Sequence, residues 1–465
     1  MNSSVFVNRN QFERFLTGAV FGAATLLCMA AVASAAPANK QDYVQAELPP
    51  GFQVVATDLE GPVFADASGH TVYKWPIKHL RNGDAGEVEG KPSCDSTVYR
   101  ENAGLMSPYP PGLELPELDK RPSCTDVWPP VLASADAKPV GKWTIVDRPD
   151  GRKQWAYDGF SLYTSVLDKQ PGDTLGGAAT DSLPESGATR FPVGPAANVP
   201  SQFDVITTLR GRLVTLHEGW SVYAYERDGR DKSNCYGACL EGWVPVLAGE
   251  YVRPVGEWTT FERAPGVKQW AFRHIPVYRH LGDAKIHSQD GSDQPGWRNV
   301  YMQTTPALPQ GFAVKDTIVG EVLGTADGST VYKYICTDDA LDQLACDHPD
   351  APQVYRLAIC GGFDAERCQK VFPYIVAPAG AKNSGQLWTT MDIDPRTGKK
   401  AAANQQGALH VWAYRGRPVY TFAGEKHYGD KKPSDILAND WGEFNAQRNG
   451  FRALVYRDVY SQRDE

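Results

Sequence analysis

Short runs in which apolar and polar positions alternate recur along the chain, as in Ser221-Val-Tyr-Ala-Tyr225, Thr330-Val-Tyr-Lys-Tyr334 and Pro418-Val-Tyr-Thr-Phe422. A period of two places each tyrosine and the aromatic that follows it on one face of a strand. The residue types suit strands as well. Asp150-Gly151, Asp158-Gly159, Asp327-Gly328 and Arg415-Gly416 punctuate these runs at hairpin spacing. No long stretch outside the N-terminal leader carries the period of an amphipathic helix. The pattern predicts a mainly β protein of antiparallel hairpins.

The runs also repeat as a set, three times. Phe52, Phe203 and Phe312 each precede a Val-Tyr-x-aromatic run by about twenty residues, at Tyr73 and Trp75, Tyr223 and Tyr225, and Tyr332 and Tyr334. Cys124, Cys239 and Cys368 are each followed by an aromatic and a proline: Trp128 and Pro129, Trp243 and Pro245, Phe372 and Pro373. A lone Trp then leads to a Trp-Ala-aromatic triplet and a second Tyr: Trp143, Trp155 and Tyr163; Trp258, Trp270 and Tyr278; Trp388, Trp412 and Tyr420. These landmarks predict three tandem units at 43–173, 201–304 and 306–458, packed side by side or in a propeller-like ring. Residues 174–200, rich in Gly, Ala, Ser and Pro, read as a linker. The second unit is the compact version, and the other two carry insertions at 78–121 and 337–367.

A chain of 465 residues is long enough for each unit to bury its own core. The formal charge of −8 and the pI of about 5.7 provide no basic field, so no nucleic-acid partner is expected. Residues 1–35 read as a signal peptide: Arg9 and Arg14 precede an apolar stretch, and Ala33-Ser34-Ala35 forms a small-x-small cleavage site. Leu27 is bulky for a residue preceding a lipid-bearing cysteine, so Cys28 is not expected to be an anchor. The mature chain is expected to be periplasmic or extracellular, with no transmembrane segment after cleavage. Eight cysteines then remain, and an even count in an exported chain favours disulfides within units. Cys94 is expected to pair with Cys124, and Cys235 with Cys239. Cys368 is the equivalent of Cys124 and Cys239, so Cys360 is its expected partner, leaving Cys336 for Cys346.

At Tyr223-Ala-Tyr225-Glu-Arg-Asp228, followed by Ser233-Asn-Cys235-Tyr-Gly-Ala-Cys239 and Trp243-Val-Pro245, the chain resembles a family of bacterial exported proteins built from a secreted repeat. These are described as predicted lipoproteins with a Y-x-(F/W/Y)-x-x-D motif. Other copies depart from the motif. Tyr163, Ser165 and Asp168 lack the second aromatic; Tyr278, His280 and Asp283 replace it with His; Tyr420, Phe422 and Glu425 end in Glu; Tyr332, Tyr334 and Asp338 have one residue too many. The resemblance implies an exported repeat protein and brings no activity with it.

Two readings of the repeated aromatics compete: a stacking platform for a flat or sugar-like ligand, or the core of each sheet, with Asp168, Asp228 and Asp283 closing turns. Recurrence in every copy favours the core, because each copy needs a core and a site is needed only once. Among nine histidines, His274, His280 and His287 cluster in the second unit and, with Asp283, make the candidate transition-metal group. The other copies of this hairpin carry Asp158 and Ser165, or Arg415 and Phe422, in place of His274 and His280, so the fold does not require imidazoles there. Asp228, Asp231, Asp290 and Asp293 offer oxygens on turns for Ca²⁺, without a complete EF-hand pattern. G-x-S-x-G, H-E-x-x-H and C-x-x-C-H are all absent from the sequence. No cofactor is required. The expected role is a noncatalytic binding or interaction module of the cell envelope, with an envelope protein or a small ligand as partner. The alternatives are a redox or metal accessory protein and an enzyme of unrecognised type.

Overall fold

The computed structural model describes residues 42–76, 78–80, 83–97, 122–176, 190–317, 320–334, 349–350, 352–424 and 451–457. The leader at 1–35, together with Cys28, Asp338, Cys336, Cys346 and Glu425, lies outside them. The protein is mainly β and antiparallel throughout its named strands.

Each unit is a pair of similar halves. In the second unit, Phe203–Thr208 and Gly211–Leu216 form a hairpin followed by Val222–Tyr225, and Trp258–Ala264 and Val267–Phe272 form a hairpin followed by Ile275–His280. The third strands of the two halves pair antiparallel, with Tyr223 directly opposite Tyr278. The third unit repeats this seam with Tyr332 opposite Tyr420. In the first, Tyr73 and Tyr163 exchange both backbone hydrogen bonds, at 2.8 and 3.0 Å.

A closing strand then returns to the first half of each unit. Trp297–Asn299 pairs with Val222–Tyr225, and Phe451–Ala453 pairs with Tyr332–Tyr334. In the first unit the closing strand is Phe191–Pro192, paired with Tyr73–Lys74. This strand falls within the stretch 174–200 that the sequence reads as a linker, and Arg190 and Val193 beside it are buried. A two-residue strand is too short to leave a periodic trace in sequence, which is why this stretch reads as loop.

Period two sorts side chains onto two faces, both covered. Val222 and Ala224 face a core in which Phe203 stacks on Trp258 at 4.0 Å and meets Trp270 edge-on at 5.8 Å. The same trio is built by Phe52, Trp143 and Trp155 and by Phe312, Trp388 and Trp412. Tyr223 and Tyr225 face the opposite side, described below.

The units share contacts through their first hairpins. Gln303 Nε2 donates to the carbonyl of Thr57 and the amide of Gln386 to Asp58 Oδ2, both at 2.5 Å, while the amide of Leu209 donates to Glu321 Oε2 at 2.5 Å. Leu59 and Leu209 join Leu323, Val331 and Trp388 in one apolar cluster. Buried Arg415 of the third unit reaches Glu60 of the first at 3.1 Å. Such contacts pack the units against one another directly.

The insertion of the third unit contains two helices, Val354–Gly361 and Ala365–Val371, the second capped by Asp364, which accepts from the amides of Glu366 and Arg367. They are too short for the periodicity a sequence reading detects. Disulfides join Cys94 to Cys124, Cys235 to Cys239 and Cys360 to Cys368, each within one unit, as expected. The expected Cys336–Cys346 pair lies outside the described residues. Among the described residues, no helix is long and apolar enough to cross a membrane.

Candidate functional site

On the tyrosine face each unit stacks flat groups in layers. In the second unit Tyr225 lies 4.7 Å from Trp297, Trp297 lies 3.5 Å from Trp243 with its plane tilted 6°, and Trp243 lies 4.5 Å from His280. Tyr278 meets Trp297 edge-on at 5.0 Å. The third unit has Phe451 at 5.4 Å from Tyr334 and 3.7 Å from Phe372, and Phe372 at 5.0 Å from Phe422. Register makes Arg190 the first unit's counterpart of Trp297 and Phe451, since each precedes by two the residue directly opposite the seam tyrosine on the closing strand: Pro192, Asn299 and Ala453. Its guanidinium lies 4.4 Å from Trp75, 4.7 Å from Trp128 and 5.0 Å from Tyr163, taking the place of an aromatic ring. The fourth layer there is Ser165, and the chain itself occupies the space left, for a Cβ on Gly176 would fall 2.8 Å from the Trp128 ring.

The motif carboxylates belong to the same assembly. Tyr223 donates to Asp283 at 2.9 Å, and Tyr278 donates to Asp228 Oδ2 at 2.7 Å. In the first unit Tyr73 donates to Asp168 Oδ2 at 2.7 Å, and Tyr163 donates to Glu87 Oε1 at 2.5 Å. Glu87 was not legible as a partner, because it comes from the insertion and not from the motif. Burial pushes Asp168 up to about 7 and Asp283 up to about 6, against the stabilising hydrogen bonds of Tyr73 on the former and His280 and Tyr223 on the latter. Burial likewise raises Tyr278 to about 12.

The four residues of the candidate metal group are divided. His280 Nδ1 and Asp283 Oδ1 lie 3.0 Å apart. His274 sits at the other end of Ile275–His280, about 20 Å away along an extended strand. There its Nδ1 pairs with Asp231 Oδ2 at 2.7 Å. His287 packs by its backbone on Gly219, donating its amide to the Gly219 carbonyl at 2.9 Å. Among the described residues, no group of three or more His, Cys, Asp or Glu is placed to hold a metal ion. The Asp228 oxygens take hydrogen bonds from Asn234 N and Tyr278, and those of Asp231 from Thr259 and His274. His280 fills the layer that Phe422 fills in the third unit.

Register also corrects the equivalence of His274. The second-half hairpins turn at Asp158-Gly159, Arg273-His274 and Arg415-Gly416, all with positive φ at both positions, as a type I′ turn requires. His274, at φ +67°, therefore stands where the other units have glycine. Its carbonyl accepts from the Asp231 amide at 2.7 Å, which anchors the turn.

No curated protein and no solved structure matches the chain. Residues 144–179 and 204–247 match the model of a family described as a secreted repeat of unknown function. The first match begins in the second half of the first unit and the second in the first half of the second unit, with Tyr163 and Tyr223 at the same offset from each start. The chain therefore carries this secreted repeat, and the repeat corresponds to half of a structural unit.

Proposed function

We propose that this is an exported, noncatalytic binding protein of the cell envelope, in which the repeated tyrosine seams and stacked layers are scaffold and the segments that differ between units contact the ligand or partner. The observation that supports this reading is the substitution pattern of the stack. Ser165, His280 and Phe422 occupy one layer, and Arg190, Trp297 and Phe451 another, so no single chemistry is common to the three copies. What Arg190, Trp297 and Phe451 have in common is a flat group and burial. The match to a secreted repeat accords with export.

His280→Phe tests the proposal, because it gives the second unit the residue that the third already has. Full complementation of a gene deletion by this variant, with unchanged metal content, supports the scaffold role. Loss of complementation by a variant that melts like the parent would overturn it in favour of metal, redox or catalytic chemistry at His280 and Asp283.

A further inference from the structure

The three disulfides among the described residues differ in how far they are covered. Cys94, Cys124, Cys235, Cys360 and Cys368 are buried, whereas Cys239 is partly exposed. Its counterparts in the other units are closed over by arginine: Arg190 Nη2 donates to Cys124 Sγ at 3.3 Å and Arg356 Nη1 to Cys368 Sγ at 3.2 Å. Beside Cys239 the chain leaves space, for Tyr236, Gly237 and Ala238 are exposed and a Cβ on Gly237 would meet nothing within 4 Å. A thiolate needs access to one sulfur in order to exchange, and Cys239 offers it.

The bridges also differ in what they hold. Cys94–Cys124 spans a separation of 30 residues, and Cys360–Cys368 joins the helices Val354–Gly361 and Ala365–Val371. Cys235–Cys239 spans a separation of 4 around the single turn Gly237–Leu240, which buries none of its residues and has no side-chain cap. Opening so short a loop releases little chain entropy. Both ends of the loop are held without the bridge. The Cys235 amide donates to Ser233 Oγ at 3.1 Å, its carbonyl accepts from Arg263 Nη2, and Ser233 Oγ lies 2.7 Å from the Tyr278 hydroxyl. Trp243 resumes the sheet opposite His280. Reduction therefore loosens one surface turn and leaves the seam in place.

We propose that Cys235–Cys239 is a thiol-exchange site, at which a dithiol reductant opens the bridge while the second unit stays folded. One thiolate of the reductant attacks Cys239 Sγ, the bond between the two cysteine sulfurs breaks, and Cys235 leaves as a thiolate that takes up a proton. Arg263, held on the Cys235 carbonyl, places a cation beside that departing charge. The reductant's second thiolate then attacks its own sulfur in the mixed disulfide and releases Cys239, which is protonated in turn. Two electrons pass to the protein, and the reductant departs as its disulfide. This inference goes beyond the binding-protein reading and does not depend on it.

The test exposes the folded mature protein to limiting dithiothreitol at pH 7, quenches with iodoacetamide at intervals and maps the alkylated peptides by mass spectrometry. Cys235 and Cys239 are expected to be alkylated together, at least about tenfold faster than the cysteines of the other two described bridges, with circular dichroism unchanged. Opening of Cys235–Cys239 no faster than the other two, or only once denaturant is added, would overturn the proposal. The direction of attack is tested separately with oxidised glutathione. Cys235→Ser, which leaves the accessible Cys239, should form the mixed disulfide about tenfold faster than Cys239→Ser, which leaves the buried Cys235. Equal rates in two folded variants would overturn the assignment of Cys239 as the attacked sulfur. If either variant fails to fold, the time course of the parent protein decides.

Discussion

Tyr223 and Tyr278 face each other across the seam of the second unit, and each donates its hydroxyl to the aspartate that follows the other by five residues. Neither motif satisfies itself. A half unit on its own would bury a phenol and a carboxylate without partners, so the pairing of halves is enforced by polar satisfaction as well as by apolar burial. The first unit keeps one arm of the cross, Tyr73 to Asp168, and rebuilds the other with Glu87.

Removing a crossing hydroxyl should therefore cost more than an ordinary hydrogen bond. Tyr223→Phe leaves Asp283 buried with one donor fewer, and about 1–3 kcal/mol of stability should be lost. A double-mutant cycle with Asp283→Asn, read by denaturant unfolding, should show coupling between the two positions. Additive effects would separate the pair.

The same carboxylates give the protein an unusual pH dependence. Burial raises Asp168 to about 7 and Asp283 to about 6 from an unfolded value near 3.8, so between these limits the folded chain binds more protons than the unfolded one. Their contribution is complete below about pH 4 and is lost as pH rises through 6 to 7. Stability should fall from pH 5 to pH 8, by on the order of a few kcal/mol in these two groups together, and the melting temperature should fall with it. Asp168→Asn should flatten most of the slope.

Layer geometry predicts which replacements the stack tolerates. Trp243→Ala removes a ring stacked 3.5 Å from Trp297 and should cost about 3–5 kcal/mol. Arg190→Phe should leave the first unit folded, because Phe451 occupies the corresponding place in the third, whereas Arg190→Ala should destabilise it. Circular dichroism melts of the two Arg190 variants decide the point.

The disulfides should differ in what they contribute. Cys94–Cys124 closes a separation of 30 residues and Cys235–Cys239 one of 4, so loop-closure entropy predicts losses of about 4 and about 2 kcal/mol when each is replaced by a pair of serines. Peptide mapping without reduction should find no bridge between units.

Strand periodicity, three copies of an aromatic set and the cysteine equivalences were all legible in the sequence, because alternation, fixed spacing and parity are local or countable properties of a chain. Burial of Trp258, Trp270, Trp388 and Trp412 follows from the same regularity. Three other features were decided only in the tertiary structure. Arg190 serves as a layer between rings, Glu87 replaces a motif aspartate, and His274 and His280 are held at opposite ends of one strand. Arg190 stands just before a closing strand of only two residues, Phe191–Pro192, and Glu87 enters from an insertion. The distance between His274 and His280 depends on an extended backbone, where six residues span about 20 Å instead of closing a loop. Spacing reports which residues share a face, but partners brought together by long-range closure have no signature in spacing, and these are what separate the three units chemically.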